Sequence, residues 1–396
     1  MHKLFIGLRK EVVAYTDGEH NYLYNPITDS YRILSRKAAI FVFLIKECCQ
    51  INTIVQKFLY VTGDSKINFR KVLFELSAYI KVDRTEFETG INNIDQKSIY
   101  KDISISNILL QKFPRNIFIR LTNQCDKVCK YCCEKDRMST KSKEHFDKNY
   151  ISKLFFTESE NNLKKINYHF TGGEPLMYNY FNYIIEEFQQ REMEASLITK
   201  AIDSNVFSSY ILNSSLKYIC FSLDSYNEQY VTYITGNKEA FRNMVSCMEI
   251  AKHCGKYIGI NVVVTTLNKN CLEDMVLFSI RNMVDEIHFN IMRESGESTK
   301  NLMVNLETQK NIYKEIIYLQ VKYDKKIKIT LTMIHCKKGC KECEKALTDL
   351  KINYDGEVAL CNDMVIGNLK DNNLQEIWFS KQTMEIKRLI LKQMAI

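Results

Sequence analysis

The sequence predicts an α/β protein: a parallel sheet curled into a partial (β/α)6 barrel, preceded by a winged-helix-like domain and followed by a small cysteine-bearing region. Three observations carry this. Strand-like runs at 117–121, 166–170, 197–202, 218–223, 258–264 and 286–291 alternate with helical ones, and βα alternation implies a parallel sheet. Chemically distinctive residues stand where those strands end, which is where such folds collect their chemistry. They are residues 122–132 after the first strand, Thr171-Gly172-Gly173-Glu174-Pro175 after the second, and Ser222-Leu223-Asp224 at the fourth. The opening of the chain follows another pattern: an alternating segment over 21–34, then apolar residues at helical spacing over 38–48, 53–60 and 68–80.

Length and composition bound the rest. The 396 residues, 45% hydrophobic and 26% charged, allow two or three domains with a sizeable core. Charges interrupt the apolar residues of MHKLFIGLRKE at once and no long apolar run follows, so no membrane segment is expected and a cytoplasmic location is. Fourteen cysteines in such a chain then speak for metal or redox chemistry rather than a disulfide framework. The net charge of +8 is dispersed, with lysines set among acidic residues, so no nucleic-acid partner is expected, while the mild positive field favours an acidic one. Domain boundaries are placed at 1–85, a polar linker at 86–112, a core at 113–325 and a C-terminal region at 326–396.

Cys125, Cys129 and Cys132 offer three thiolates on one tight loop. Three thiolates leave one iron of a [4Fe–4S] cube open to bind a small molecule through oxygen and nitrogen, whereas structural zinc asks for four ligands in a closed tetrahedron. No histidine or suitably spaced fourth cysteine follows locally, and Cys133 is too close to Cys132, so the spacing favours a cluster over a zinc knuckle.

LTNQCDKVCKYCC followed by FTGGEPLMY resembles the radical S-adenosylmethionine (SAM) superfamily, particularly its peptide-modifying members with an extra C-terminal cluster region, over about residues 113–380. The resemblance implies that Cys125, Cys129 and Cys132 hold the SAM-cleaving [4Fe–4S] cluster and that Tyr131 lies beside the adenine. It places Gly172, Gly173 and Glu174 at the methionine end of SAM, and Ser222 and Asp224 of FSLDS at the ribose. Glycine lets backbone approach a ligand closely, and a carboxylate suits its ammonium. One departure stands out: Thr199-Lys200-Ala201 replaces the family's Thr-Asn-Gly. The lone Cys48, Cys49, Cys220, Cys247, Cys254 and Cys271 read as buried small hydrophobes. The implied chemistry is reductive cleavage of SAM to methionine and a 5′-deoxyadenosyl radical that takes hydrogen from the substrate, the protein supplying alignment and exclusion of water. No spacing identifies a general base or other catalytic side chain.

Cys336, Cys340, Cys343 and Cys361, with Gly356, resemble the first half of a SPASM region or its shortened twitch form. This implies one auxiliary iron–sulfur cluster of unassigned nuclearity, and a zinc ribbon is the alternative use of the same four thiolates. YNPITDSYRIL and the helices after it resemble the PqqD-like recognition element of enzymes that act on ribosomally made peptides (RiPPs), which captures a leader as an added strand and so concentrates the core peptide at the barrel. Together these imply a RiPP maturase whose partners are a precursor peptide, bound through its leader, and a reducing protein such as a flavodoxin or ferredoxin. An intramolecular thioether of the sactionine type is the favoured product; carbon–carbon cross-linking and epimerisation use the same front half. An anaerobic sulfatase-maturase-like enzyme would call for a second auxiliary cluster and no leader domain. A non-catalytic iron–sulfur peptide-binding or electron-transfer protein would make no 5′-deoxyadenosine.

Overall fold

A computed structural model describes residues 5–9, 12–16, 21–25, 30–47, 50–62, 66–83, 113–132, 144–156, 166–212, 214–292, 297–332, 347–361 and 363–394. The chain divides into two units, one formed by residues 1–112, 340–347 and 381–396 and the other by 113–339 and 348–380.

In the first unit, β1 (Phe5–Leu8) pairs antiparallel with β5 (Ile80–Asp83), while β2 (Val13–Thr16), β3 (Asn21–Asn25) and β4 (Ser30–Leu34) form a three-stranded antiparallel sheet. Helices Arg36–Glu47, Ile51–Thr62 and Lys66–Glu75 lie between β4 and β5 in the chain. Ala38, Phe41, Val42 and Ile45 recur at helical spacing and bury one stripe of the first helix with Ile54, Phe58, Val72 and Leu76. Phe41 and Phe58 meet edge to face at 6.2 Å. The three helices and the 21–34 segment were legible in the sequence. The flanking strands β1, β2 and β5 were not, because four residues are too few to display a period of two. The expected linker at 86–112 lies outside the described residues.

The second unit is built on β6 (Asn116–Arg120), β7 (Asn167–Thr171), β8 (Ala195–Thr199), β9 (Leu216–Ser222), β10 (Tyr257–Val264), β11 (Glu286–Ile291) and β12 (Lys328–Thr332), each parallel to the next. β13 (Asp349–Ile352) adds in parallel to the free edge of β6, and β14 (Glu357–Leu360) and β15 (Val365–Asn368) continue antiparallel. The six expected strands are present with shifted ends. The seventh, β12, carries KITLT, where one lysine and two threonines dilute the apolar signal. Among the described residues β12 and β15 are the free edges, so the barrel is open. No described helix is long and apolar enough to cross a membrane.

The two faces of this sheet differ sharply. Ile117, Ile119, Tyr168, Phe170, Leu197, Ile219, Phe221, Ile260, Val262, Ile287 and Phe289 are fully buried on one face. The alternating positions Asn116, Phe118, Arg120, His169, Thr171, Ser222, Asn261, His288 and Asn290 are only half-buried on the other. The barrel interior is therefore polar and partly open to solvent. Near the strand starts, the Tyr218 hydroxyl meets His288 Nε2 at 3.0 Å, and Glu286 pairs with His288 and Lys328 at 2.8 Å each. Burial alone would raise the Glu286 carboxyl, but these partners outweigh it and hold it at about 2.

His169 stacks on Phe118 with ring centroids 4.6 Å apart, and burial lowers its pKa to about 4. The unfolded chain then binds the extra proton between pH 6.5 and 4, so stability falls as pH drops through that window. The expected loss between pH 6.5 and 4.5 is roughly 2 to 3 kcal/mol. Urea unfolding of wild type and His169→Leu at both pH values checks this: the variant should lose most of the difference, and an equal pH dependence in the two proteins would refute the assignment.

Candidate active site

The cysteine loop leaves β6 at Leu121 and is held from two sides. Toward residues 144–146, the Asn123 amide donates to Glu144 O at 3.1 Å, the Thr122 hydroxyl donates to the same carbonyl at 2.8 Å, and the Glu144 amide donates to Asn123 Oδ1 at 2.9 Å. Toward helix Glu228–Thr235, the Val128 and Lys130 amides donate to Thr235 O and Ile234 O, both at 2.9 Å. The Cys132 amide donates to Cys129 O at 3.1 Å, closing the turn that brings these two cysteines near each other.

The glycine pair after β7 packs against this loop. The Gly173 amide donates to Thr122 O at 2.7 Å and the Glu174 amide to Gln124 O at 2.6 Å. A Cβ on Gly172, whose φ is +138°, would stand 2.6 Å from Thr122 O, and one on Gly173 would stand 2.1 Å from Gln124 O. Close backbone approach does demand glycine here, and the backbone that approaches is the cysteine loop itself. Buried Glu174 accepts from the Thr199 hydroxyl at 2.6 Å, the Lys200 amide at 3.0 Å and the Leu176 amide at 3.3 Å. Burial raises its pKa, against the opposing pull of Lys127 and these donors. Its carboxylate thus links the ends of β7 and β8.

Lys200, noticed in the sequence only as a replacement for asparagine, is central to the site. Its Nζ donates to Ser222 O at 2.8 Å, to the Tyr131 hydroxyl at 3.0 Å and to Asp224 Oδ2 at 3.3 Å. Tyr131 also donates to Asp224 Oδ2, and Asp224 Oδ1 accepts from the Val263 amide at 2.9 Å. Asn268 latches this arrangement from behind, donating to Asp224 O at 2.8 Å and to Val263 O at 2.9 Å. Burial pulls the Lys200 ammonium down, but Asp224 and the neighbouring Cys129 and Cys125 outweigh it and hold its pKa above the usual value. Ala201 adopts φ 60°, a left-handed conformation that costs a non-glycine residue about 1–2 kcal/mol. Its carbonyl accepts at 2.5 Å from buried Lys127, which also pairs with Asp126 at 2.7 Å.

The donor set fits an iron–sulfur cluster. Burial, then the Glu174 charge, pushes the Cys125 thiol up to about 12, and burial raises that of Cys129, so thiolates here need a compensating cation. A cube supplies that charge and spreads its thiolates over separate irons.

Cys361 follows β14, its amide donating to Asp349 O at 3.1 Å. Gly356, at φ +84°, leaves room for the Tyr150 ring and Asn368 Oδ1, which a Cβ would approach to 2.8 and 2.9 Å. Cys336, Cys340 and Cys343 lie outside the described residues, as do Cys48 and Cys49. Of the cysteines read as small hydrophobes, Cys220 and Cys247 are buried, whereas Cys254 and Cys271 are only half-buried at helix ends.

Residues 119–279 match the Radical SAM superfamily model, and residues 340–395 match the SPASM iron–sulfur cluster-binding domain. Residues 119–279 are therefore a radical SAM domain, and the protein that carries it is an enzyme. That domain works with a [4Fe–4S] cluster and SAM, and the SPASM domain with an auxiliary iron–sulfur cluster. The radical SAM cyclopropyl synthase TigE of Paramaledivibacter caminithermalis is 25% identical over 194 residues, a match spanning 44% of this chain but only 41% of TigE. The structure of Streptococcus suis SuiB bound to its precursor peptide SuiA superposes with a TM-score of 0.59 at 15% identity, covering 96% of this chain and 90% of SuiB. SuiB bound to S-adenosylmethionine gives 0.60 at 14% identity with the same coverage.

Proposed function

We propose that this protein modifies a ribosomally made precursor peptide by forming an intramolecular cross-link, with a thioether from a cysteine sulfur to a carbon as the favoured product. The observation that carries the reading is the convergence of four strand ends: the cysteine loop bolted to Gly172-Gly173-Glu174, with Lys200, Tyr131 and Asp224 locked beside it. In this reading Cys125, Cys129 and Cys132 hold the SAM-binding cluster. Tyr131, Gly172, Gly173, Glu174, Ser222 and Asp224 hold SAM, and Cys336, Cys340, Cys343 and Cys361 the auxiliary cluster. Bound together, cluster and SAM supply a 5′-deoxyadenosyl radical on one-electron reduction.

The chain's own part is alignment. Lys200 keeps the Tyr131 ring and the Asp224 carboxylate in one geometry, Glu174 holds the end of β8 against the glycine turn, and the half-open polar barrel face admits the peptide segment to be modified. The antiparallel sheet and helices of the first unit suit a PqqD-like, winged-helix recognition element that takes the leader as an added strand, in the cytoplasm beside the reductant. SuiB with a precursor peptide bound supports a peptide substrate. TigE, a cyclopropyl synthase, favours carbon–carbon bond formation as the second reading. The two products differ in whether the precursor's cysteine remains open to alkylation after the peptide has lost two hydrogens.

Anaerobic reconstitution, reduction with dithionite in the presence of SAM, and mass spectrometry for 5′-deoxyadenosine test the first step. Wild type should produce it and Cys125→Ala/Cys129→Ala/Cys132→Ala should not. A wild-type preparation shown to contain reduced cluster and bound SAM, yet making none even with candidate precursors, would sink the catalytic reading in favour of an electron carrier.

A further inference from the structure

Lys127 stands between Cys125 and Cys129 with no exposed side-chain surface, and lysines are almost never fully buried unless paired. Its neighbours Val128 and Lys130 are exposed. Three acceptor oxygens lie around its Nζ: Ala201 O at 2.5 Å, Asp126 Oδ1 at 2.7 Å and Asp126 Oδ2 at 2.9 Å. That is the shell an ammonium with three N–H groups asks for, so the cation is held inside the loop. The carbonyl it takes belongs to the residue in the left-handed conformation, Ala201, whose own amide is bonded to Thr199 Oγ1 at 2.7 Å. Lys127 thereby ties the middle of the cysteine loop to the segment that follows β8.

The charges around this loop do not cancel evenly. Lys200 and Asp224 are both buried and 3.3 Å apart, so they largely neutralise each other. Glu174 adds a buried negative charge that disfavours a thiolate at Cys125. Lys127 acts the other way on Cys125, on Cys129 and on Glu174 itself. Its own partner cannot cancel it fully, because the Asp126 side chain is 33% exposed and water screens the anion far more than the enclosed cation. Lys130 is exposed and screened in the same way.

We infer that Lys127 is a counter-cation built into the cysteine loop, a positioning residue that acts through the SAM-binding cluster by raising its reduction potential. The inference rests on the assignment of Cys125, Cys129 and Cys132 to that cluster proposed above. One electron from a low-potential reductant takes [4Fe–4S]2+ to [4Fe–4S]1+ with no bond made or broken and no proton moved, so the site becomes one charge more negative. A fixed cation in a water-poor setting stabilises that reduced state more than the oxidised one. The bonds to Ala201 and Asp126 keep the ammonium in place, so no reorganisation is needed when the charge changes.

The test is a redox titration followed by electron paramagnetic resonance, on the full-length reconstituted protein without SAM, in wild type, Lys127→Met and Asp126→Asn. The signal of this cluster is the one missing from Cys125→Ala/Cys129→Ala/Cys132→Ala. Lys127→Met should make reduction about tenfold less favourable, a fall in midpoint of about 59 mV for one electron. Asp126→Asn should move the midpoint upward, and by less, because the charge it removes is partly exposed. A lysine with only a packing role would leave both midpoints where they are or move them the same way, and either result overturns the inference. Should Lys127→Met take up no iron, Asp126→Asn decides alone, and an unchanged or lower midpoint there counts against the inference. Wild type without such a signal sinks the cluster assignment itself, whereas a wild type that titrates beside unmoved variants sinks only the role of Lys127.

Discussion

Gly173→Ala is expected to abolish cluster uptake at the cysteine loop and to destabilise the second unit. The added Cβ would lie 2.1 Å from Gln124 O and 2.7 Å from its carbonyl carbon, both backbone atoms. Neither side can retreat. The Glu174 amide is bonded to that same oxygen at 2.6 Å, and the loop is pinned through Thr122 and Asn123 to Glu144. Overpacking in a fixed interior costs about 1–3 kcal/mol or more, and a clash with backbone belongs at the upper end. Gly255→Ala is the control: Gly255 is also at positive φ, +69°, but nothing lies within 4 Å of its Cβ position, so only a backbone cost of about 1–2 kcal/mol applies. Iron content after reconstitution and thermal melting separate the two. A Gly173→Ala protein with full iron and a wild-type melting curve would show that the loop yields, contrary to the geometry.

Lys200→Met should be the second large effect, because it strips Asp224 of its cationic partner in a buried setting. The pair is 3.3 Å apart with side chains 15% and 3% exposed, and removing one partner of such a pair costs about 3–5 kcal/mol by stranding the other charge. Tyr131 loses a donor at the same time, so SAM affinity should fall together with stability. Combining Lys200→Met with Asp224→Asn removes both charges and should recover part of the stability, which makes the double-mutant cycle decisive. Urea unfolding of the metal-free protein reads stability, and calorimetry of the reconstituted protein reads SAM binding. If Lys200→Met unfolds at the wild-type urea concentration, Lys200 has no structural share in the site.

Much of the architecture was legible because it is written in local pattern. The strands at β6, β7, β9, β10 and β11 are short runs bounded by polar turns, and three cysteines within eight residues after the first of them carry the resemblance to the radical SAM domain that residues 119–279 match. The glycine pair was legible as a place where backbone must come close. Which backbone was not legible, because Thr122 and Gln124 reach Gly172 and Gly173 only through the parallel register of β6 on β7. Lys200 was visible only as a departure from a motif.

The sequence by itself determined the class of chemistry, through residue types that few other functions need at that spacing, and the strand–helix alternation that builds the sheet. The tertiary structure alone decided that Lys200 closes over Tyr131 and Asp224, that Glu174 ties β7 to β8, and that β12 and β13 extend the sheet at opposite edges. The physical reason is the same in each case. Local periodicity reports which face of an element is buried, whereas hydrogen bonds between strand ends depend on sheet order and register, which pair residues that no short sequence window contains.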